Sequence, residues 1–206
     1  MTVPSAPVRV VLVSANEVVR RGLHHILELS DETTVVGEAA SALAAVDEAA
    51  RADVDVIVID VRRLPDEATV AGTRKIRSAN RAAKVLFLVT HVNAKTLLST
   101  VIAGASGYVV KDLDPAGIRQ AIVNVSRGVS LFEPRLGDRA LEHARRELAG
   151  HWGSAPLALT DGEDSILNLI GQGFVNHEIA DRLSLSEQAV ERLISGIYGT
   201  LHFGGD

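Results

Sequence analysis

The 206-residue chain reads as an α/β domain, a five-stranded parallel sheet wound on both faces, followed by a small all-α domain. Two patterns carry this reading. Up to about residue 130, short continuous apolar runs alternate with stripes of helical period, as buried strands and crossover helices do. Beyond residue 159 only short helical stripes remain. At 47% hydrophobic residues the chain can bury a core, and its lack of cysteine excludes disulfides and thiolate metal sites. Met1 to Pro7 shows no basic region leading into an apolar segment, and no apolar run approaches the ~18 residues of a membrane span. The expectation is a cytoplasmic protein with no membrane partner.

Val8 to Val13 (VRVVLV) is the first strand. Asn16 can cap a helix whose stripe is Val19, Leu23, Ile26 and Leu27. Thr34 to Ala39 is the second strand, and Ser41 to Arg51 an Ala-rich helix with Leu43, Val46 and Ala50 at helical spacing. The central strand is Val54 to Asp60 (VDVIVID), an apolar run that ends on a carboxylate. A polar connection with Pro65 leads to a helix over 70–78 and a fourth strand, Val85 to Thr90. A helix over 94–103 precedes a fifth strand, Tyr108 to Val110, opened by Gly107. Asp114-Pro115 supplies an N-cap and N1 proline for a last helix with Ile118, Ala121, Ile122 and Val125 inward.

Open α/β sheets gather chemistry at the carboxyl ends of their strands. Asp60, Thr90 and Lys111 stand at three such ends. A carboxylate, a hydroxyl and an ammonium suit a phosphoryl acceptor: the first attacks phosphorus, the others hold the phosphoryl oxygens. Strand ends are also simply polar, so spacing alone leaves both readings open.

The run VIVID…LVT…GASGYVVKD resembles the receiver domain of NarL/FixJ-type response regulators, over about residues 8–130. The resemblance implies a flavodoxin-like fold with Asp60 as phosphoacceptor, Thr90 and Tyr108 as switch positions, and Lys111 as the family lysine. It also exposes a departure. The family carries an acidic pair after the first strand that holds Mg²⁺ with the acceptor; here those positions are Ser14 and Ala15. Magnesium is held through carboxylates and water, so its binding is expected to be weak or absent. Arg62 and Arg63, in an atypical loop after Asp60, could bring a standing positive charge to it instead.

Residues 131–158 read as a linker: an amphipathic helix from Pro134 to Gly150, then a Gly/Ser/Pro connection that serves as a hinge or a passive tether. In residues 159–206, Thr160 and Glu163 fit a capping box before the first helix. A short second helix, Asn176 to Leu183, is followed by the turn Ser184-Leu185-Ser186 and a third helix with Val190, Ile194, Ile197 and Leu201 inward. This stretch resembles a LuxR-type helix-turn-helix, the usual partner of such a receiver. The resemblance makes the helix from Ser186 a recognition helix and gives Ser186, Gln188, Arg192, Ser195, Asn176 and His177 as DNA-contact candidates.

That helix is poorly charged for reading DNA. From Leu159 on there are two basic residues against eight acidic ones, net −6, in a chain of net −5. Glu191 stands about where the family is basic, and Gly196 and Gly199 each weaken the helix by ~1 kcal/mol. The family's usual dimerising last helix does not appear before Asp206. Seven histidines show no ligand spacing, and there is no phosphate-binding glycine loop, so no cofactor, metal or catalysis is expected. The expected protein is an atypical, phosphorylation-independent transcriptional regulator that binds DNA weakly or with help. It would act as a homodimer, or as a heterodimer with another response regulator, with a small ligand in the altered pocket as a possible control. An interaction protein that modulates a partner regulator, and a conventional phospho-Asp60 switch, are the alternatives.

Overall fold

The computed structural model describes residues 6–51, 53–62, 65–90, 100–101, 103–112, 114–129, 131, 160–172, 174 and 176–200, with backbone alone for 67, 171 and 195–200. The strands are β1 (Val8–Val13), β2 (Thr33–Ala39), β3 (Val56–Asp60), β4 (Lys84–Val89) and β5 (Gly107–Val110). The helices are α1 (Glu17–Leu27), α2 (Val46–Ala49), α3 (Glu67–Ala79), α4 (Pro115–Ser126), α5 (Asp161–Gly171), α6 (Asn176–Leu183) and α7 (Glu187–Thr200). The five strands form one parallel sheet in the order β2-β1-β3-β4-β5. The order reverses between β1 and β3, which opens a crevice at their carboxyl ends.

Period-2 alternation sorts the strand side chains into two core layers. Val10, Leu12, Val56, Val58, Leu86 and Leu88 face one way, onto Leu23 and Leu27 of α1 and Ile118, Ile122 and Val125 of α4. Val11, Val13, Ile57, Ile59, Val85 and Phe87 face the other, onto Ala42, Ala45, Ala49 and Ile76. Helix caps fall on the expected residues. Asn16 Oδ1 accepts from the backbone N–H of Val18 and Val19, and Asp114 Oδ1 from that of Gly117. Asp66 caps α3 through the Thr69 N–H, so that helix begins earlier than its apolar stripe suggests.

The helix expected over 41–51 is mostly turn, and only Val46–Ala49 is α-helical. Ser41 Oγ accepts from the Ala44 N–H, a local turn that competes with helix. Gly72 of α3 presses onto the same turn: a Cβ there would lie 2.7 Å from the Ala42 carbonyl carbon. The helices expected over 94–103 and in the linker lie mainly or wholly outside the described residues.

In the second domain Thr160 and Glu163 form the capping box in both directions. Ile166, Leu167, Ile170, Ile179, Ala180, Val190 and Ile194 make its core. Arg182 lies over the Phe174 ring at 3.6 Å from the centroid, a cation–π contact. Ser184 makes the turn between α6 and α7 with φ +54°, and Ser186 Oγ caps α7 at Ala189 N–H.

Candidate functional site

Asp60 ends β3 with its side chain 3% exposed. Its two carboxylate oxygens have different partners. Oδ2 accepts a 2.6 Å hydrogen bond from Ser14 Oγ. Oδ1 is ion-paired with Lys111 Nζ, which also donates to the Val61 carbonyl at 3.2 Å. Ser14 is held in turn. It is 1% exposed, and its carbonyl accepts from Arg20 Nη1 at 2.8 Å. Arg20 Nε then binds Glu38 Oε2, while Glu38 Oε1 meets His24 Nδ1 at 2.6 Å. The hydrogen bond from His24, with help from Arg20, lowers the Glu38 pKa.

The pocket thus brings together Asp60, Ser14 and Lys111. Thr90 follows β4 and is exposed, as are Ala15 and Arg62. Tyr108 is 7% exposed on β5, with its ring in the core. Arg63 lies outside the described residues. A divalent ion does not fit this donor set. The serine hydroxyl is neutral, Ala15 offers a methyl group, and Asp60 is engaged through both oxygens. Among the described residues, no group of three or more histidines or carboxylates is placed to hold a metal ion.

The second cluster of candidate residues is on α7, and it faces the first domain. Glu187 Oε1 accepts from Arg77 Nη2 of α3 at 3.0 Å, with both side chains largely covered. Arg77, Ser78 and Arg81 line one side of the resulting cleft, and Glu187, Gln188 and Glu191 the other. Burial, then the charge of Glu187, raises the Glu191 pKa, although Arg77, Arg74 and Arg81 oppose the shift. Gln188 and Arg192, both DNA-contact candidates, therefore stand beside the receiver.

Asn176, a contact candidate, is covered in this structure. It is 5% exposed at the start of α6. Ser186 and His177 are exposed, and the Ser195 side chain lies outside the described residues. Sequence reasoning missed Arg77 and Glu187 as a pair; Arg74, Arg77 and Arg81 at i, i+3 and i+7 were the available signal.

Comparison with known proteins agrees with this geometry. Residues 10–123 match the response regulator receiver domain, and residues 157–203 match the luxR family of bacterial regulatory proteins. The chain is 37% identical over 199 residues to the DNA-binding transcriptional activator DevR/DosR of Mycobacterium tuberculosis, covering 94% of this chain and 88% of that one. It is 30% identical over 187 residues to the nitrate/nitrite response regulator NarP of Escherichia coli, covering 91% and 85%. The crystal structure of the response regulator ChrA, from a heme-sensing two-component system, superposes with a TM-score of 0.53 at 28% identity, covering 98% of this chain and 93% of that one. The chain belongs to the NarL/FixJ-type response regulators, with a receiver domain followed by a LuxR-type DNA-binding domain.

Proposed function

We propose that this protein is a transcriptional regulator whose output does not depend on Mg²⁺-assisted phosphorylation of Asp60. One observation carries the reading: the Asp60 carboxylate is occupied by the Ser14 hydroxyl on one oxygen and the Lys111 ammonium on the other. Phosphoryl transfer to a carboxylate needs cationic neutralisation of the incoming phosphoryl oxygens, and here the Lys111 ammonium is already paired with Asp60. The hydroxyl takes the place of a metal-binding acid and satisfies the carboxylate without adding charge.

DNA remains the target, through α7. In this arrangement α7 packs against α3, so DNA binding competes with the Arg77–Glu187 contact. Control then rests on the balance between closed and open forms, set by expression level, dimerisation or a ligand. The test is incubation with acetyl phosphate and Mg²⁺. The native chain stays unlabelled and its DNA affinity unchanged, whereas a Ser14→Asp, Ala15→Asp variant gains a label that Asp60→Asn removes. Stoichiometric labelling of native Asp60 with a rise in DNA affinity would overturn the reading.

A second reading is favoured by charge. Two basic residues against eight acidic ones from residue 159 on make a weak DNA binder, which suits a chain that pairs with another response regulator through its receiver. Co-purification with such a regulator and DNA binding only in its presence support this reading. Tight, specific DNA binding by the isolated chain opposes it.

A further inference from the structure

Helix α7 carries two long polar side chains on the face opposite its core. Val190 and Ile194 are buried beneath it. At about 100° per residue, Gln188 and Arg192 each lie about 160° around the helix from Val190. Both are exposed, whereas Glu187 and Glu191 on the flanks are half-buried. Gln188 and Arg192 are four residues apart, which is about 6 Å along the axis. Ser186 Oγ accepts from the Ala189 N–H at 3.2 Å and fixes the start of the helix, so both belong to its first two turns. The second helix of a helix-turn-helix enters the major groove by its N-terminal residues. Base pairs there rise about 3.4 Å, so side chains about 6 Å apart address bases about two pairs apart.

The two side chains differ in what they can pair with. A carboxamide offers a donor and an acceptor side by side, which match N7 and the N6 amino group of adenine. A guanidinium offers two donors, which match N7 and O6 of guanine. We propose that α7 reads an adenine through Gln188 and a guanine through Arg192, about two base pairs apart in the DNA site. The inference rests on the DNA-binding function proposed above and gives it a base code. Glu187 and Glu191 repel phosphates, so selectivity comes from these two base contacts more than from the backbone. In the closed form both side chains stand beside α3, so closure hides the code.

Affinity selection from a random duplex library, at one fixed concentration of sodium chloride, tests it. The full chain is used both as the native protein and as Arg77→Gln, which lacks the closing contact. The selected sites are expected to share an adenine and a guanine at that spacing, each preferred about tenfold over other bases. Gln188→Arg should turn the adenine into a guanine, and Arg192→Gln the guanine into an adenine, with the other position unchanged. Lost packing lowers affinity without exchanging one base for another, so the switch separates readout from a structural role. Thermal melting confirms that each variant keeps its fold. Enriched sites whose bases stay the same in Gln188→Arg or in Arg192→Gln overturn the code alone. No enriched sequence with either chain overturns the DNA-binding function, and the code with it.

Discussion

Ser14 Oγ and Asp60 Oδ2, from residues 46 apart in sequence, are joined by a 2.6 Å hydrogen bond across the carboxyl ends of β1 and β3. With the Lys111 ion pair on Oδ1, both oxygens of Asp60 have a partner. Removing one partner should reveal this. Ser14→Ala leaves a covered oxygen without its donor and is expected to cost about 1–3 kcal/mol. Lys111→Met strands the charge itself and should cost about 3–5 kcal/mol. Urea unfolding of the two variants and of Asp60→Asn measures the difference, with Asp60→Asn the mildest of the three.

The Arg77–Glu187 pair should behave as a reversible latch. Arg77→Glu places two carboxylates together, opens the molecule and increases DNA affinity. Adding Glu187→Arg restores the closed form. Coupling of about 1 kcal/mol in the double-mutant cycle is expected for a partly covered pair. Small-angle scattering and protease sensitivity of the linker report opening directly, and the two single variants should resemble each other more than either resembles the swap.

Glu191 predicts a pH dependence of defined sign. Its pKa is raised in the closed structure, above all by burial and then by Glu187, against Arg77, Arg74 and Arg81. The folded, closed state therefore binds this proton more tightly than the unfolded chain. The stability it contributes is fully present below the ordinary glutamate range and is lost as pH rises through the raised value. Glu191→Gln should flatten this part of the profile and stabilise the closed form at neutral pH. Urea midpoints across pH 4 to 8, for native and variant chains, check the slope.

Ser184 carries backbone strain that glycine would release. A non-glycine residue at φ +54° costs about 1 kcal/mol relative to glycine, offset in part by glycine's greater freedom when unfolded. Ser184→Gly is expected to stabilise the second domain by a few tenths of a kcal/mol to 1 kcal/mol. Ser184→Val should destabilise it by more. Thermal melts that rank the three glycine, serine and valine forms in any other order would contradict this account.

Gly72 should not tolerate a side chain. Its Cβ would lie 2.7 Å from backbone and side-chain atoms of Ala42 and from the Leu43 nitrogen. The turn and α3 must separate, so Gly72→Ala is expected to cost about 1–3 kcal/mol despite alanine's better helix propensity. Gly22→Ala, on a helix with nothing within 4 Å of the added atom, should instead be neutral or stabilising. Denaturant midpoints separate the two.

The sheet could be read from its apolar runs because its central strands are covered on both faces, and burial leaves a direct trace in composition. Asp60, Thr90 and Lys111 followed, since a strand's end is where that trace stops. The Ser14–Asp60 bond was not readable: a serine in place of an acid shows what is missing, not where its hydroxyl turns. The helix over 41–51 was read too long because an alanine stripe suits both a helix and a tight turn pressed by another backbone, and Gly72 presses on that turn. The covering of Asn176, a contact candidate by resemblance, depends on packing that its place in the sequence does not record. The meeting of α3 and α7 depends on how two domains dock, which no periodicity within either helix records.

The outer edge of β5 bears on how the two halves communicate. Leu131, the described residue at the start of the linker, forms a parallel bridge with Gly107, donating to the Ser106 carbonyl and accepting from the Tyr108 N–H. A Cβ on Gly107 would come within 2.7 Å of the Leu131 side chain, so glycine is what lets the chain lie this close. Leu131 is thus moored to the outer edge of the sheet by two backbone hydrogen bonds, one of them from Tyr108, whose strand lies one away from β4 and two from the strand that ends on Asp60.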